Sequence, residues 1–283
     1  MAEPPVPRSL AEGGIPPVFL ATAIDAVVRA GDVQLSYLGR QIRVDKKGTI
    51  DLVTEVDIAI ERAFRETIAR RFPEHVVLGE EFEEEGQREG MAEYCWLFDP
   101  IDGTTNYAHG LPIFCSSLAF EINGEVVAGA VYDPNRRELF TAERGAGARL
   151  NGLPLRVSSA ETLIDSLLVT GFHYGVHKDP GELMQLFEAF IRRSRAVRRL
   201  GSAALDLCYV ACGRLDGFWE KKLQPWDIAA GALIVEEAGG IVTTVDGQPF
   251  RSRAGSVLAT NGRIHHAMVE VIQDVARSRK GTV

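Results

Sequence analysis

The segment from Cys95 to Asn106 constrains the fold more than any other stretch of the chain. Cys95-Trp96-Leu97-Phe98 is a short apolar run that reads as a buried strand. Asp99 stands at its end. Pro100 has no N–H for a sheet ladder, which predicts that the strand stops there. Gly103 permits a tight turn, and Thr104 and Thr105 are good N-cap residues for a following helix. A helix start offers free N–H groups and a positive dipole end, both suited to phosphate. Asp99 and Asp102 beside a phosphate would repel it unless a cation lies between them. The economical reading is a Mg²⁺-dependent phosphoryl site. Asp-Pro and Asp-Gly are also common turn chemistry, and most such turns hold no metal.

Other acids join this corner in the pattern. His75-Val76-Val77-Leu78 reads as a second strand, ended by Gly79 and followed by Glu80 and Glu81. Pro225-Trp226-Asp227 opens an apolar helical run from Ile228 to Ala238, where Asp227 would also serve simply as a helix-start acid. The metal reading rests on strand-end and helix-start acids in combination. All these donors are oxygens, and the six histidines show no zinc-ligand spacing with cysteines. Hard donors favour Mg²⁺ over Mn²⁺ or Ca²⁺, and the surplus of carboxylates points to two or three ions.

Periodicity divides the chain. A Pro-rich tail, residues 1–16, precedes an amphipathic helix over Pro17 to Leu38 and a second over Thr54 to Arg71, where Asp57 follows Thr54 in an acidic capping box. Ser116 to Ile122 and Glu125 to Val131 form a hairpin across Asn123-Gly124, and Glu138 to Ala142 continues the meander. This half, 17–155, reads as α+β. From 156 to 283 strands and helices alternate as in an α/β half: strands near 166–170, 196–200, 216–219, 241–244 and 257–260, and helices near 181–193, 202–212 and 226–238. A net charge of −8 argues against general nucleic-acid or anionic-membrane binding, and no apolar run reaches membrane-spanning length. Four cysteines without a secretion signal read as reduced core residues, with the cytoplasm as default location. Gly145-Ala146-Gly147 reads as a turn, His265-His266 as surface, and Glu83-Glu84-Glu85 as a solvated loop.

Asp99-Pro100-Ile101-Asp102-Gly103-Thr104-Thr105-Asn106 resembles the first signature of the inositol monophosphatase family. Gly79-Glu80-Glu81 is similar to its acidic strand-end motif, and Trp226-Asp227-Ile228-Ala229-Ala230-Gly231 with Glu237-Ala238-Gly239-Gly240 to its second signature. Asp51-Leu52-Val53-Thr54-Glu55-Val56-Asp57, Gly201-Ser202-Ala203-Ala204-Leu205-Asp206-Leu207 and Asp216-Gly217-Phe218-Trp219-Glu220 match further family segments in order, so the resemblance spans about Lys46 to Gly262. It is closest to bacterial inositol-1-monophosphatases. The resemblance implies a layered α-β-α-β-α sandwich of the inositol monophosphatase and fructose-1,6-bisphosphatase type. It also implies a homodimer inhibited by Li⁺.

The same resemblance implies residue roles. Glu80, Asp99 and the Ile101 carbonyl would hold one Mg²⁺, and Asp99, Asp102 and Asp227 a second. Glu80 would share a weaker third, and Lys46 would lie near the metals. Thr104 with Asp57 would orient the attacking water, while Gly103 and Thr104 N–H groups bind phosphate. Asp102, Gly201, Ser202, Ala203 and Glu220 would contact the alcohol. The implied reaction is direct in-line hydrolysis of a phosphate monoester by metal-activated water, with an aspartyl-phosphate route through Asp99 as the lesser alternative. Lys221-Lys222 departs from the family pattern after Glu220 and suggests broader activity, including on fructose 1,6-bisphosphate; the plainer reading sends both lysines to water. Histidinol-phosphate and nucleotide 3′-phosphatases share the ligand pattern, and Thr105-Asn106 favours the inositol branch. A regulatory binding protein that has kept the fold is the alternative of another class.

Overall fold

The computed structural model describes residues 15–48, 50–82 and 92–280. Most of the Pro-rich tail and the acidic run Glu83-Glu84-Glu85 lie outside the described residues. After a short hairpin, β1 (Val44–Lys46) and β2 (Leu52–Thr54), a seven-stranded sheet runs in the order β3 to β9. Its strands are β3 (Val76–Gly79), β4 (Tyr94–Asp102), β5 (Cys115–Ile122), β6 (Glu125–Asp133), β7 (Glu138–Glu143), β8 (Gly147–Leu150) and β9 (Leu153–Pro154). The pair β3–β4 is parallel and the later pairs are antiparallel. A second sheet combines β10 (Leu167–Thr170), β11 (Ala196–Arg198), β12 (Gly217–Lys221), β13 (Ile241–Thr243) and β14 (Ser256–Thr260) in the order β11-β10-β12-β14-β13.

Three apolar clusters stack these sheets. Helices α1 (Pro17–Tyr37) and α2 (Glu55–Arg71) cover one face of the large sheet, with Val27, Phe64 and Ile68 against Trp96, Phe98 and Phe120. Its other face shares a core with α5 (Ala203–Ala211), α6 (Pro225–Glu237) and the small sheet. Helix α6 is buried continuously from Ile228 to Val235, as a helix between two sheets must be. Beyond the small sheet lie α4 (Gly181–Ile191) and α7 (His265–Lys280), packed through Leu186, Phe190, Met268 and Ile272. The architecture is the layered α-β-α-β-α sandwich. Among the described residues no helix is long and apolar enough to cross a membrane.

Local chemistry explains the elements that place the acidic corner. The capping box forms at α2: Thr54 Oγ1 accepts the Val56 and Asp57 N–H groups, and Asp57 accepts the Thr54 N–H at 2.9 Å. Asn123 and Gly124, at φ 53° and 78°, close the β5–β6 hairpin as a two-residue loop with both φ positive. Strand β4 does not stop at Asp99. It continues to Asp102 through an irregularity in which Asp99 opposes Ser117 and Asp102 opposes Cys115, so that one extra residue is absorbed. Pro100 falls in that irregularity, where a missing N–H costs no ladder bond, and its carbonyl is held by Gln34 Nε2 and Ser116 Oγ, each at 2.8 Å. His265 is also corrected: it is buried between Thr260 and Thr243, because the first turn of α7 packs on β14, whereas His266 is exposed. Strands β8 and β9 escaped sequence reading because they are too short to show an alternation.

Gln34 fastens α1 to the acidic corner, since its Nε2 also donates to Ser116 Oγ at 2.8 Å and its backbone carbonyl accepts the Tyr107 hydroxyl at 2.8 Å. Gln34→Ala opens a buried gap and removes one of the two donors to the Pro100 carbonyl. Urea denaturation is expected to show a loss of about 2–3 kcal/mol; a change within about 0.5 kcal/mol would refute this fastening role.

Candidate active site

Twelve of the residues singled out in the sequence line one cavity of about 1460 Å³: Glu80, Asp99, Ile101, Asp102, Gly103, Thr104, Gly201, Ser202, Ala203, Glu220, Lys222 and Asp227. They arrive from five separated segments. Glu80 follows the end of β3, Asp99 to Asp102 close β4, and Gly103 and Thr104 open the one-turn helix α3 (Thr104–Ala108). Gly201 to Ala203 open α5, Glu220 and Lys222 lie at the end of β12, and Asp227 stands in the first turn of α6. Gly103 itself is the residue before α3, at φ 98°, and Thr104 is the first helical residue, so neither threonine is the N-cap. The N–H groups of Gly103 and Thr104 have no acceptor among the described residues.

Asp102 is anchored by α5. Ser202 Oγ and the Ala204 N–H each donate to it at 2.7 Å, with the Ala203 N–H at 3.3 Å. Burial lifts its carboxyl to about 6, and these donors restrain the rise. Asp99 accepts the Ile101 N–H at 2.9 Å and is 2% exposed. Burial, then repulsion from Glu80, Asp102 and Asp227, holds its carboxyl well above the usual range. Asp227 caps its own helix through the Gln224 N–H at 2.7 Å, and burial followed by Glu80 raises it likewise. Asp57 lies behind the cavity wall, fully buried, with its carboxyl lifted by burial to about 6. The Thr104 hydroxyl bridges this layer, donating to the Ile101 carbonyl at 2.9 Å with Asp57 Oδ1 3.4 Å away.

Lys46 is exposed on β1, where it pairs with Leu52, and does not line the cavity. Its neighbour Lys47 does, and donates to Glu80 at 2.9 Å and Glu81 at 2.7 Å. Burial acts to lower the Lys47 pKa, but Glu80 and Glu81 outweigh it and raise it. Glu81 stands back from the cavity wall, with burial and Glu80 lifting its carboxyl to about 8. Glu61, absent from the sequence reading, fixes this turn: its carboxylate accepts the Glu81 N–H at 2.7 Å and Arg65 Nε at 2.8 Å. A Cβ on Gly79 would lie 2.3 Å from Glu61 Oε1, which explains the glycine before the acids. Lys221 turns away to Glu182 at 2.5 Å, whereas Lys222 takes a left-handed φ of 62° at the cavity. At the other end Glu220 is 8% exposed, and burial lifts it to about 8 against the nearby charge of Arg199.

The donor set fits a divalent cation by its chemistry. Glu80, Asp99, Asp102 and Asp227 are hard oxygen donors on one cavity wall, and each acid is raised by the others' charge or by burial. As the side chains lie, no three His, Cys, Asp or Glu groups among the described residues surround a single ion position. Glu80 is paired with Lys47 at 2.9 Å while standing beside Asp99, so binding an ion requires that carboxylate to exchange its Lys47 contact for the ion.

Comparison with known proteins agrees with this geometry. Residues 17–277 match the model of the inositol monophosphatase family. Inositol-1-monophosphatase of Synechocystis sp. is 44% identical over 255 residues, covering 90% of this chain and 88% of the relative. Nus factor SuhB of Pseudomonas aeruginosa is 41% identical over 260 residues, covering 90% and 96%. The solved inositol monophosphatase of Anabaena (Nostoc) sp. superposes with a TM-score of 0.82 at 43% identity, covering 91% of this chain and 96% of that one. The extragenic suppressor protein suhB of Bartonella henselae gives 0.83 at 37%, covering 90% and 98%.

Proposed function

The chain belongs to the inositol monophosphatase family and is a phosphatase, and from that premise we propose that it hydrolyses inositol 1-phosphate with Mg²⁺. The observation that carries this reading is the gathering of Glu80, Asp99, Asp102 and Asp227 on one cavity wall beside the free N–H groups of Gly103 and Thr104. In this reading Glu80, Asp99 and the Ile101 carbonyl hold one ion, Asp99, Asp102 and Asp227 a second, and Glu80 shares a third. Bound Mg²⁺ supplies positive charge for the phosphate oxygens and lowers the pKa of water.

The chain's own groups supply the rest. Gly103 and Thr104 N–H groups bind phosphate oxygens and hold the ester for in-line displacement. The Thr104 hydroxyl turns from the Ile101 carbonyl to Asp57 and orients the incoming water, with Asp57 positioned to take its proton. Ser202, Gly201, Ala203 and Glu220 hold the alcohol, while Asp102 links that half to the acidic wall. The reading further assigns a cytoplasmic homodimer inhibited by Li⁺. Phosphate release from inositol 1-phosphate with Mg²⁺ tests it: release that stops with chelator supports the assignment, and equal release in chelator overturns the metal dependence.

Lys222 favours a wider substrate range, because it lines the cavity without an ion pair among the described residues while Lys221 is tied to Glu182. Lys222→Ala is expected to lower kcat/KM for fructose 1,6-bisphosphate about tenfold relative to inositol 1-phosphate. An unchanged ratio removes the second-phosphate contact. The relatives named Nus factor SuhB favour a further reading, a regulatory binding role alongside catalysis. Partner capture by a catalytically silent Asp99→Asn chain supports that role, and loss of capture together with turnover opposes it.

A further inference from the structure

Asp206 is the least explained charged residue in the cavity. It sits in the first turn of α5, two residues beyond the Ala204 N–H that holds Asp102. It is 1% exposed, and neither of its carboxylate oxygens has a hydrogen-bond partner among the described residues. Glu220, also on the cavity wall, is 8% exposed and its carboxylate likewise accepts no hydrogen bond from a described residue. Two buried carboxyl groups without donors cost stability, and a fold retains such groups where a ligand completes them.

The surroundings limit what that ligand is. Arg199 is the cation whose charge reaches both acids, yet it lies exposed over the Phe172 ring and donates to neither. The close approach of Gly171, where a Cβ would fall 1.8 Å from Glu220 Oε2, leaves Glu220 no room to retreat behind β10. With Arg199 offsetting part of the charge from outside, neutral hydroxyl donors satisfy these oxygens without adding a buried cation. We propose that Asp206 is a specificity-determining residue, which together with Glu220 reads the hydroxyl groups on the alcohol half of a polyol phosphate. This rests on the phosphatase reading of the same cavity and adds to it a residue that selects polyols over hydroxyl-free esters.

The test compares kcat/KM for inositol 1-phosphate and 4-nitrophenyl phosphate in the Mg²⁺-loaded full chain, for wild type, Asp206→Leu and Asp206→Asn. Melting temperature is measured alongside. The polyol-to-aryl ratio is expected to fall at least about tenfold in Asp206→Leu and to stay within about threefold in Asp206→Asn, which keeps a hydrogen-bonding head. The Asp206→Leu chain is expected to melt at a higher temperature, because it no longer buries an unpartnered carboxyl. A ratio unchanged within about twofold in folded Asp206→Leu overturns the proposal. So does a parallel loss on both substrates with a lower melting temperature, which marks a structural residue. If wild type hydrolyses neither ester, the substrate assignment fails instead, and the melting comparison still decides: a fall in Asp206→Leu overturns the role given to Asp206.

Discussion

Asp99→Asn is expected to lower kcat/KM for inositol 1-phosphate by about a thousandfold and, in chelator, to raise the melting temperature. Both effects have one cause. Asp99 is 2% exposed and faces Glu80, Asp102 and Asp227, so burial and their repulsion oppose its charge when no cation is bound. The amide is the same shape, keeps an oxygen for the Ile101 N–H and removes one charge from the wall. Without a cation this relieves repulsion by about 1–2 kcal/mol; with one, it removes the carboxylate assigned to two ions at once. Steady-state kinetics with and without Mg²⁺, and melting in chelator, separate the two effects. A loss of activity below about tenfold, or a variant that melts lower in chelator, contradicts the shared-ligand role.

Gly103→Ala is expected to cost about 2–4 kcal/mol of stability and about a hundredfold in kcat/KM. Gly103 has φ 98° and ψ 34°, a conformation that side-chain-bearing residues rarely adopt. Its Cβ would stand 2.9 Å from the Ile113 carbonyl and 3.3 Å from the Gly201 carbonyl, both backbone atoms that cannot swing aside. Relief therefore has to come from Gly103 itself, which lies between Asp102 and Thr104 and offers one of the free N–H groups. Guanidinium denaturation measures the first loss and kinetics the second. Near-native values for both would show that the turn is more tolerant than this packing allows.

Much of the corner was legible because local chemistry and global position agree there. The capping box of Thr54 and Asp57 is a four-residue pattern, and the same Asp57 then stands behind Thr104. Asn123-Gly124 marks its hairpin for the same reason: the turn needs positive φ at both residues. Asp102 closes β4 and Asp227 opens α6, and with Asp99 they converge because β4 and α6 pack in adjacent layers. What stayed hidden depends on long-range partners. Pro100 read as a strand terminator, since nothing local shows that an irregularity and the Gln34 side chain will accommodate it. Lys46 and Lys47 are indistinguishable as a pair, and only the folded chain shows Lys46 paired in β1 and Lys47, just beyond it, reaching Glu80 and Glu81. Glu61 looks like any helix acid until the Glu81 N–H is seen to donate to it. Asp206 looks like a helix-start acid, and its lack of hydrogen-bond partners among the described residues appears only in the packed structure.

Crystals of the protein soaked with Mn²⁺, in place of Mg²⁺, locate the bound ions through anomalous difference density. Peaks are expected at the wall formed by Glu80, Asp99, Asp102 and Asp227, with the Glu80 carboxylate turned from Lys47 toward an ion. Well-diffracting crystals at millimolar Mn²⁺ with no peak at that wall, or with manganese held only elsewhere, would contradict the metal site.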